Sequence, residues 1–166
     1  MKILKNIFLV CCTLFLMQSC IVSHKPNIAF FSNSEYDYEN AQFASFNVPL
    51  FLAKPYIKKA LRDEGESEAA IAMVKKVSKI KMMTVANGSE KMLKDYANYL
   101  KNENYEEWAT IKHDGENVNI RVKQKGDVIK NMLITVNSKK DMVFLDVKGS
   151  FSADDISRMI NFATDK

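Results

Sequence analysis

Glycine and proline are scarce in this chain of 166 residues, at five and three, and histidine occurs only twice. So few glycines spell no phosphate-cradling loop, no dinucleotide fingerprint and no nucleophile elbow. Internal repeats and low-complexity tracts are absent too. The histidines, His24 and His113, stand far apart, and the cysteines Cys11, Cys12 and Cys20 all lie within the first 20 residues. That excludes the clustered His and Cys sets of a structural metal site, and it leaves no framework for an internal disulfide. No cofactor is expected. The longest apolar run, Ile7 to Met17, falls short of the ~20 residues a lasting membrane helix needs. The formal net charge of +4 is a weak basic balance that does not call for a polyanionic partner.

What is present begins with a targeting pattern. Lys2 and Lys5 make a positive n-region, Ile7 to Met17 an apolar h-region, and Met17-Gln18-Ser19-Cys20 resembles a bacterial lipobox with Cys20 as the acylated residue. The fit departs from the usual pattern: Leu16 stands one place early, and Gln18 is bulkier and more polar than usual. The alternative is a plain secretory signal. Removal of residues 1–19 takes Lys2 and Lys5 from the +4 total, leaving about +2, and makes Cys20 the sole remaining cysteine. Acylation is the economical use of such a cysteine, and several acyl chains anchor stably where one is marginal. The expected division is a signal peptide over 1–19, a tether from the lipidated Cys20 to residue 47, and one α+β domain over 48–166. The expected location is the cell envelope, with the membrane as a partner and no nucleic acid. The tether is rich in rings: Phe30, Phe31, Tyr36, Tyr38, Phe43 and Phe46. They are suited to dock on a sheet face, to touch the lipid interface or to contact a partner. Glu35, Asp37 and Glu39 offer counter-charges to lysines on that face.

The folded part opens at Pro49, with a helix expected to Arg62 that Pro55 kinks or restarts. A second helix is expected over Ser67 to Val77 and a strand over Ser78 to Ala86. Ser89 is an N-cap candidate for a helix from Glu90 to about Asn102. Four strands follow: Tyr105 to His113, Asn117 to Lys123, Val128 to Asn137 and Met142 to Lys148. Asp114-Gly115 and Lys125-Gly126 mark turns between them. Val118/Ile120/Val122, Met132/Ile134/Val136 and Val143/Leu145/Val147 give three aliphatic stripes, as an antiparallel meander with one buried face requires. Ser152 and Asp155 spell a capping box for a last helix, Ala153 to Phe162. The expected fold class is α+β, in two layers, with a mainly antiparallel sheet of about five strands and helices on one face. The helix before Tyr105 is a crossover, so the first strand is expected to run parallel to a meander strand.

The other face of the meander carries the candidate binding residues Trp108, Lys112, Arg121, Lys123, Phe144 and Lys148. Cations interleaved with rings are also what single-stranded nucleic-acid binders present. The plainer reading covers the rings with another part of the chain and leaves the lysines solvated. Lys75, Lys76, Lys79 and Lys81 form a basic cluster, suited to anionic headgroups or to solvation alone.

Several stretches together resemble a known group: Val48-Pro49, Val77 to Lys81, Tyr105 to Trp108, Asp114 to Ile120, Lys125-Gly126 and Val147-Lys148-Gly149 before an amphipathic helix. These, with the lipoprotein-like signal, are similar to lipoproteins of Bacteroidota gathered as domain of unknown function 4252, over roughly residues 46–162. The resemblance implies a location and a fold. It brings no activity and no functional residues. Ile21 to Lys25 lacks the acidic residues that surface-exported lipoproteins of that phylum carry, which favours the periplasmic side. The leading expectation is a non-enzymatic, lipid-anchored protein that binds a protein or small ligand through its open sheet face. The rivals are an enzyme using His113 with nearby carboxylates, and a structural or regulatory envelope protein.

Overall fold

The computed structural model describes residues 22–33, 38, 40–63, 68–113, 115–138 and 141–164. Seven strands form one antiparallel sheet: β1 (Val22–Ser23), β2 (Gln42–Val48), β3 (Val77–Ala86), β4 (Glu106–His113), β5 (Glu116–Lys125), β6 (Val128–Asn137) and β7 (Asp141–Phe151). Their spatial order is β1-β2-β3-β7-β6-β5-β4. The helices are α1 (Leu50–Asp63), α2 (Glu68–Lys76), α3 (Glu90–Asn102) and α4 (Ala153–Thr164).

The α+β class and the meander stand as the sequence implies, with Gly115 and Gly126 at positive φ in the turns (83° and 60°). Seven strands replace the expected five because the stretch read as tether adds two. In β2, Phe43, Ser45 and Asn47 alternate with Ala44, Phe46 and Val48, and all seven residues pair with β3. The crossover through α3 gives β3 the same direction as β4 and β6, but the neighbour it bonds is β7, antiparallel. Every pairing in the sheet is antiparallel.

Helices cover both faces instead of one. On one face the aliphatic stripes, with Ile120, Val122, Met132 and Val147 buried, pack against Ile156 of α4 and Met73 of α2. The capping box that starts α4 closes reciprocally. Ser152 N–H donates to Asp155 Oδ2 (2.7 Å), and Asp155 N–H donates to Ser152 Oγ (3.2 Å). Lys76 at the end of α2 bridges to the same carboxylate at 2.6 Å. These bonds outweigh the burial of Asp155 and hold its pKa below the ordinary value.

The opposite face holds a second core. Met92, Tyr96 and Leu100 of α3 lie over Met83, Val85, Leu133, Met142 and Phe144, together with Ile28, Phe30 and Phe31 from the N-terminal stretch. Their spacing of four along α3 makes one stripe, and Ser89 caps that helix by accepting from Met92 N–H at 3.1 Å. Polar bonds fasten the N-terminal stretch over the sheet. Asn27 Nδ2 donates to the carbonyls of Phe46 (3.1 Å) and Met82 (3.3 Å). Ser45 Oγ donates to Lys25 O at 2.6 Å, and Lys81 Nζ to Asn27 O at 2.6 Å. Part of the expected tether is thus core.

Candidate functional site

The six candidate binding residues do not share one open face. Phe144 is fully buried, with its ring 4.9 Å from Phe31 and 5.2 Å from Tyr96. Trp108 packs against the other core, beside Ala109. The cause is a β-bulge: Glu107 pairs with Arg121 and Ala109 with Ile120, so Trp108 is the extra residue of β4 and leaves the face of Arg121. A bulge adds one residue to the count, and simple alternation misassigns everything on one side of it. Lys112 and Lys148 are exposed strand residues. Lys123 bridges to Glu103 at 3.3 Å and sits 5.3 Å from the Tyr105 ring centroid. In the basic cluster, Lys76 is engaged by Asp155 and Lys81 by the Asn27 carbonyl. Residue Cys20, the signal pattern and the acidic trio Glu35, Asp37 and Glu39 lie outside the described residues, as does the side chain of His113.

The structure brings Arg121 into a cleft that the sequence did not reveal. One wall is α3, through Leu93, Tyr96, Ala97 and Leu100; the floor is sheet, through Thr110, Asn117, Asn119, Arg121, Thr135 and Asn137. Its volume is about 210 Å³. The floor residues are neighbours by register: Thr110 pairs with Asn119, Asn119 with Thr135, and Asn117 with Asn137. They alternate with the aliphatic stripes, so the same periodicity that builds one core lines this cleft with amides and hydroxyls.

A closed ring of hydrogen bonds holds the guanidinium. Arg121 Nη2 bonds Glu107 Oε2 at 2.8 Å, and Arg121 Nε donates to Asn119 Oδ1 at 3.0 Å. Asn119 Nδ2 donates to Thr110 Oγ1 at 2.8 Å, and Thr110 Oγ1 donates to Glu107 Oε1 at 3.0 Å. The Arg121 side chain is only 17% exposed, so its charge stays paired with Glu107. Hydrogen bonds from Asn119 and Thr110, and then the Arg121 charge, hold the Glu107 carboxyl below its ordinary pKa. Such a carboxylate is a poor general base and stays ionised, so it cannot serve as an acid near neutral pH.

A second polar group lies on the same face. Asp146, buried on β7, pairs in register with Lys81 and Leu133. Burial lowers the Lys81 pKa, opposed by the Asp146 charge. Asn131 Nδ2 donates to Tyr105 Oη at 2.9 Å, and burial, reinforced by Asp146, pushes that phenol up to about 12. Burial raises Tyr96 as well. Both tyrosines therefore remain neutral hydroxyls at physiological pH. Among the described residues no three His, Cys, Asp or Glu side chains gather as a metal site would need.

No curated protein and no solved structure matches the chain. One family model does, over residues 36–159, which takes in the sheet from β2 to β7 and the residues of the cleft. The chain belongs to the family described as domain of unknown function DUF4252.

Proposed function

We propose that the protein is a non-enzymatic binding protein of the cell envelope, lipid-anchored through Cys20 and facing the periplasm. Its ligand-contacting surface is the cleft between α3 and strands β4 to β6. The observation that carries the binding reading is the closed Glu107–Thr110–Asn119–Arg121 ring, through which Glu107 helps to fix three polar side chains, Thr110, Asn119 and Arg121, along a cleft also lined by Asn117 and Asn137. A paired guanidinium offers direction more than net charge. The cleft therefore suits an uncharged hydrogen-bonding group better than a phosphate. At about 210 Å³ it lies below the ~300–1,000 Å³ of pockets that enclose a whole small ligand. It fits one polar side chain or one sugar-sized group of a larger envelope partner.

The anchor reading is supported by Lys2 and Lys5, the apolar run Ile7 to Met17 and the lipobox-like Met17-Gln18-Ser19-Cys20. Among the described residues no helix is long and apolar enough to cross a membrane. A periplasmic home in a Bacteroidota-like envelope fits the absence of acidic residues in Ile21 to Lys25.

The test is native mass spectrometry of the full chain extracted from its own membranes, as wild type and as Arg121→Ala. Glu107 is 49% exposed, so losing its partner costs little stability. The co-purifying species should fall by about tenfold or more in the variant, the loss expected for about 1.4 kcal/mol of binding energy, while the unfolding midpoint drops only modestly, for the lost packing of the Arg121 stem, and the protein stays folded. Asn137→Ala, on the cleft floor away from the ring, should weaken the same species. Retention of it at the wild-type ratio in both variants contradicts the assignment.

A further inference from the structure

Helix α1 is turned inside out. None of its described residues is buried, although Leu50-Phe51-Leu52-Ala53 opens it and Tyr56-Ile57 follows. Phe51 is 78% exposed, Tyr56 75% and Leu52 52%. Its inner side is held by a cation: Lys54 Nζ donates to Val77 O at 2.6 Å and to Lys75 O at 3.3 Å, where α2 runs into β3. A surface helix of a globular domain ordinarily directs its apolar stripe inward. Here the stripe points out. Positions 51, 55, 59 and 62 recur at helical spacing, flanked by 52 and 56. The outward arc therefore reads Phe51, Leu52, Pro55 and Tyr56 on the first two turns and Lys59 and Arg62 on the last two. Counting Lys54, Lys58, Lys59 and Arg62 against Asp63, the helix carries a net charge of +3.

The position of this helix in the fold adds a second, independent indication. Strand β1 pairs antiparallel with β2, Val22 opposite Phe46 and Ser23 opposite Ser45. The chain therefore enters β1 from the Val48 end of β2, and from that same end Pro49 leads into the apolar first turn of α1. Val22 is itself 51% exposed. The entry point of the chain, an exposed aliphatic residue and the aromatic turn of α1 all lie at one end of the sheet.

We infer that α1 is an interfacial membrane-docking helix. Phe51, Leu52 and Tyr56 enter the headgroup–acyl boundary of an anionic phospholipid surface, and Lys59 and Arg62 meet its phosphates. Aromatic and aliphatic side chains beside cations, on a helix too short to span, are what such a surface selects. The inference rests on the envelope placement proposed above and adds a second attachment point to the anchor at Cys20. Together the two fix the orientation of the domain against the bilayer, which a single attachment point leaves free.

The experiment places a fluorescent reporter in the helix by Tyr56→Trp, with the Trp108-only parent as the reference to subtract. Full chain taken from its own membranes is reconstituted in vesicles of phosphatidylglycerol with phosphatidylcholine, carrying bromines on the acyl chains. The added emission is expected to be quenched in these vesicles and less so in phosphatidylcholine alone. Phe51→Ser with Leu52→Ser should lower the quenched fraction about tenfold, since two large apolar contacts are lost, and Lys59→Glu with Arg62→Glu should remove the preference for the anionic lipid. Unquenched emission from vesicle-bound protein overturns the inference while leaving the anchor intact. A lipid-free emission shift that grows with protein concentration also overturns it, by showing that the face pairs two copies. Intact mass on the same sample reports acylation separately, so soluble, unacylated protein whose added vesicles still quench α1 would sink the anchor reading alone.

Discussion

Replacing Phe144 by alanine is expected to lower the unfolding free energy by about 3–5 kcal/mol, the range for deleting a large buried ring. The ring is fully buried between Phe31 and Tyr96, which themselves stack at 5.4 Å. No neighbour can collapse into the space, because Phe31 comes from the N-terminal stretch, Tyr96 from α3 and Phe144 from the sheet. Urea unfolding measures it as a lower midpoint at unchanged slope. Had Phe144 been a ring on an open face, the change would stay within ~0.5 kcal/mol. A double-mutant cycle with Phe31→Ala adds a sharper reading. Direct contact between the rings implies a coupling of about 0.5–1.5 kcal/mol, whereas a solvated N-terminal tether implies none.

Gly149→Ala should be the costlier of two glycine substitutions, about 1–3 kcal/mol from overpacking. A Cβ at position 149 would stand 2.4 Å from Phe151 Cζ and 2.7 Å from the backbone carbonyl of Lys76. Phe151 is buried at 1% exposure, and the carbonyl belongs to the junction of α2 and β3, so neither can give way cheaply. Gly88→Ala is the control. There the Cβ meets only the flexible end of Met142, with the sulfur at 2.6 Å, and a thioether repacks more readily than a backbone. Thermal melts of both variants decide it: equal costs, or a neutral Gly149→Ala, would show that this close approach is not a packing constraint.

Much of this architecture is legible in the sequence because its signals are local. Val118, Ile120 and Val122 alternate with Asn119, Arg121 and Lys123, and a strand with one apolar side follows from period two alone. Ser89 and Ser152 each reach a backbone donor three residues on, so their caps need no knowledge of the rest of the fold. Glu106 and Glu107 leave the start of β4 open between helix and strand, and pairing with β5 decides for strand. What stays hidden depends on partners distant in the chain. Gln42 to Val48 alternates as a strand should, but it follows a polar, aromatic-rich stretch and reads as tether until β3 offers an edge to it. The rings in that stretch acquire a reason only in three dimensions: Phe30, Phe31, Tyr38 and Phe43 close the sheet face around Phe144.

The candidate site shows the same division. Arg121 is visible as a cation on the right face, while its cleft requires α3 to cross that face. Trp108 is misplaced by alternation because the bulge after Glu107 carries no glycine to mark it. A sheet with one open side and a sheet covered on both sides give similar alternation when the second cover is itself half polar. That is the case here, since α3 lays Tyr96 over Phe144 but leaves Asn117, Asn119 and Asn137 lining a cleft.

Whether the protein is anchored in the envelope through Cys20 is decided by intact-mass analysis of the membrane-extracted chain beside a Cys20→Ser control. The expected mass lacks residues 1–19 and carries acyl chains, with neither change in the control. An unmodified chain released in soluble form would contradict it.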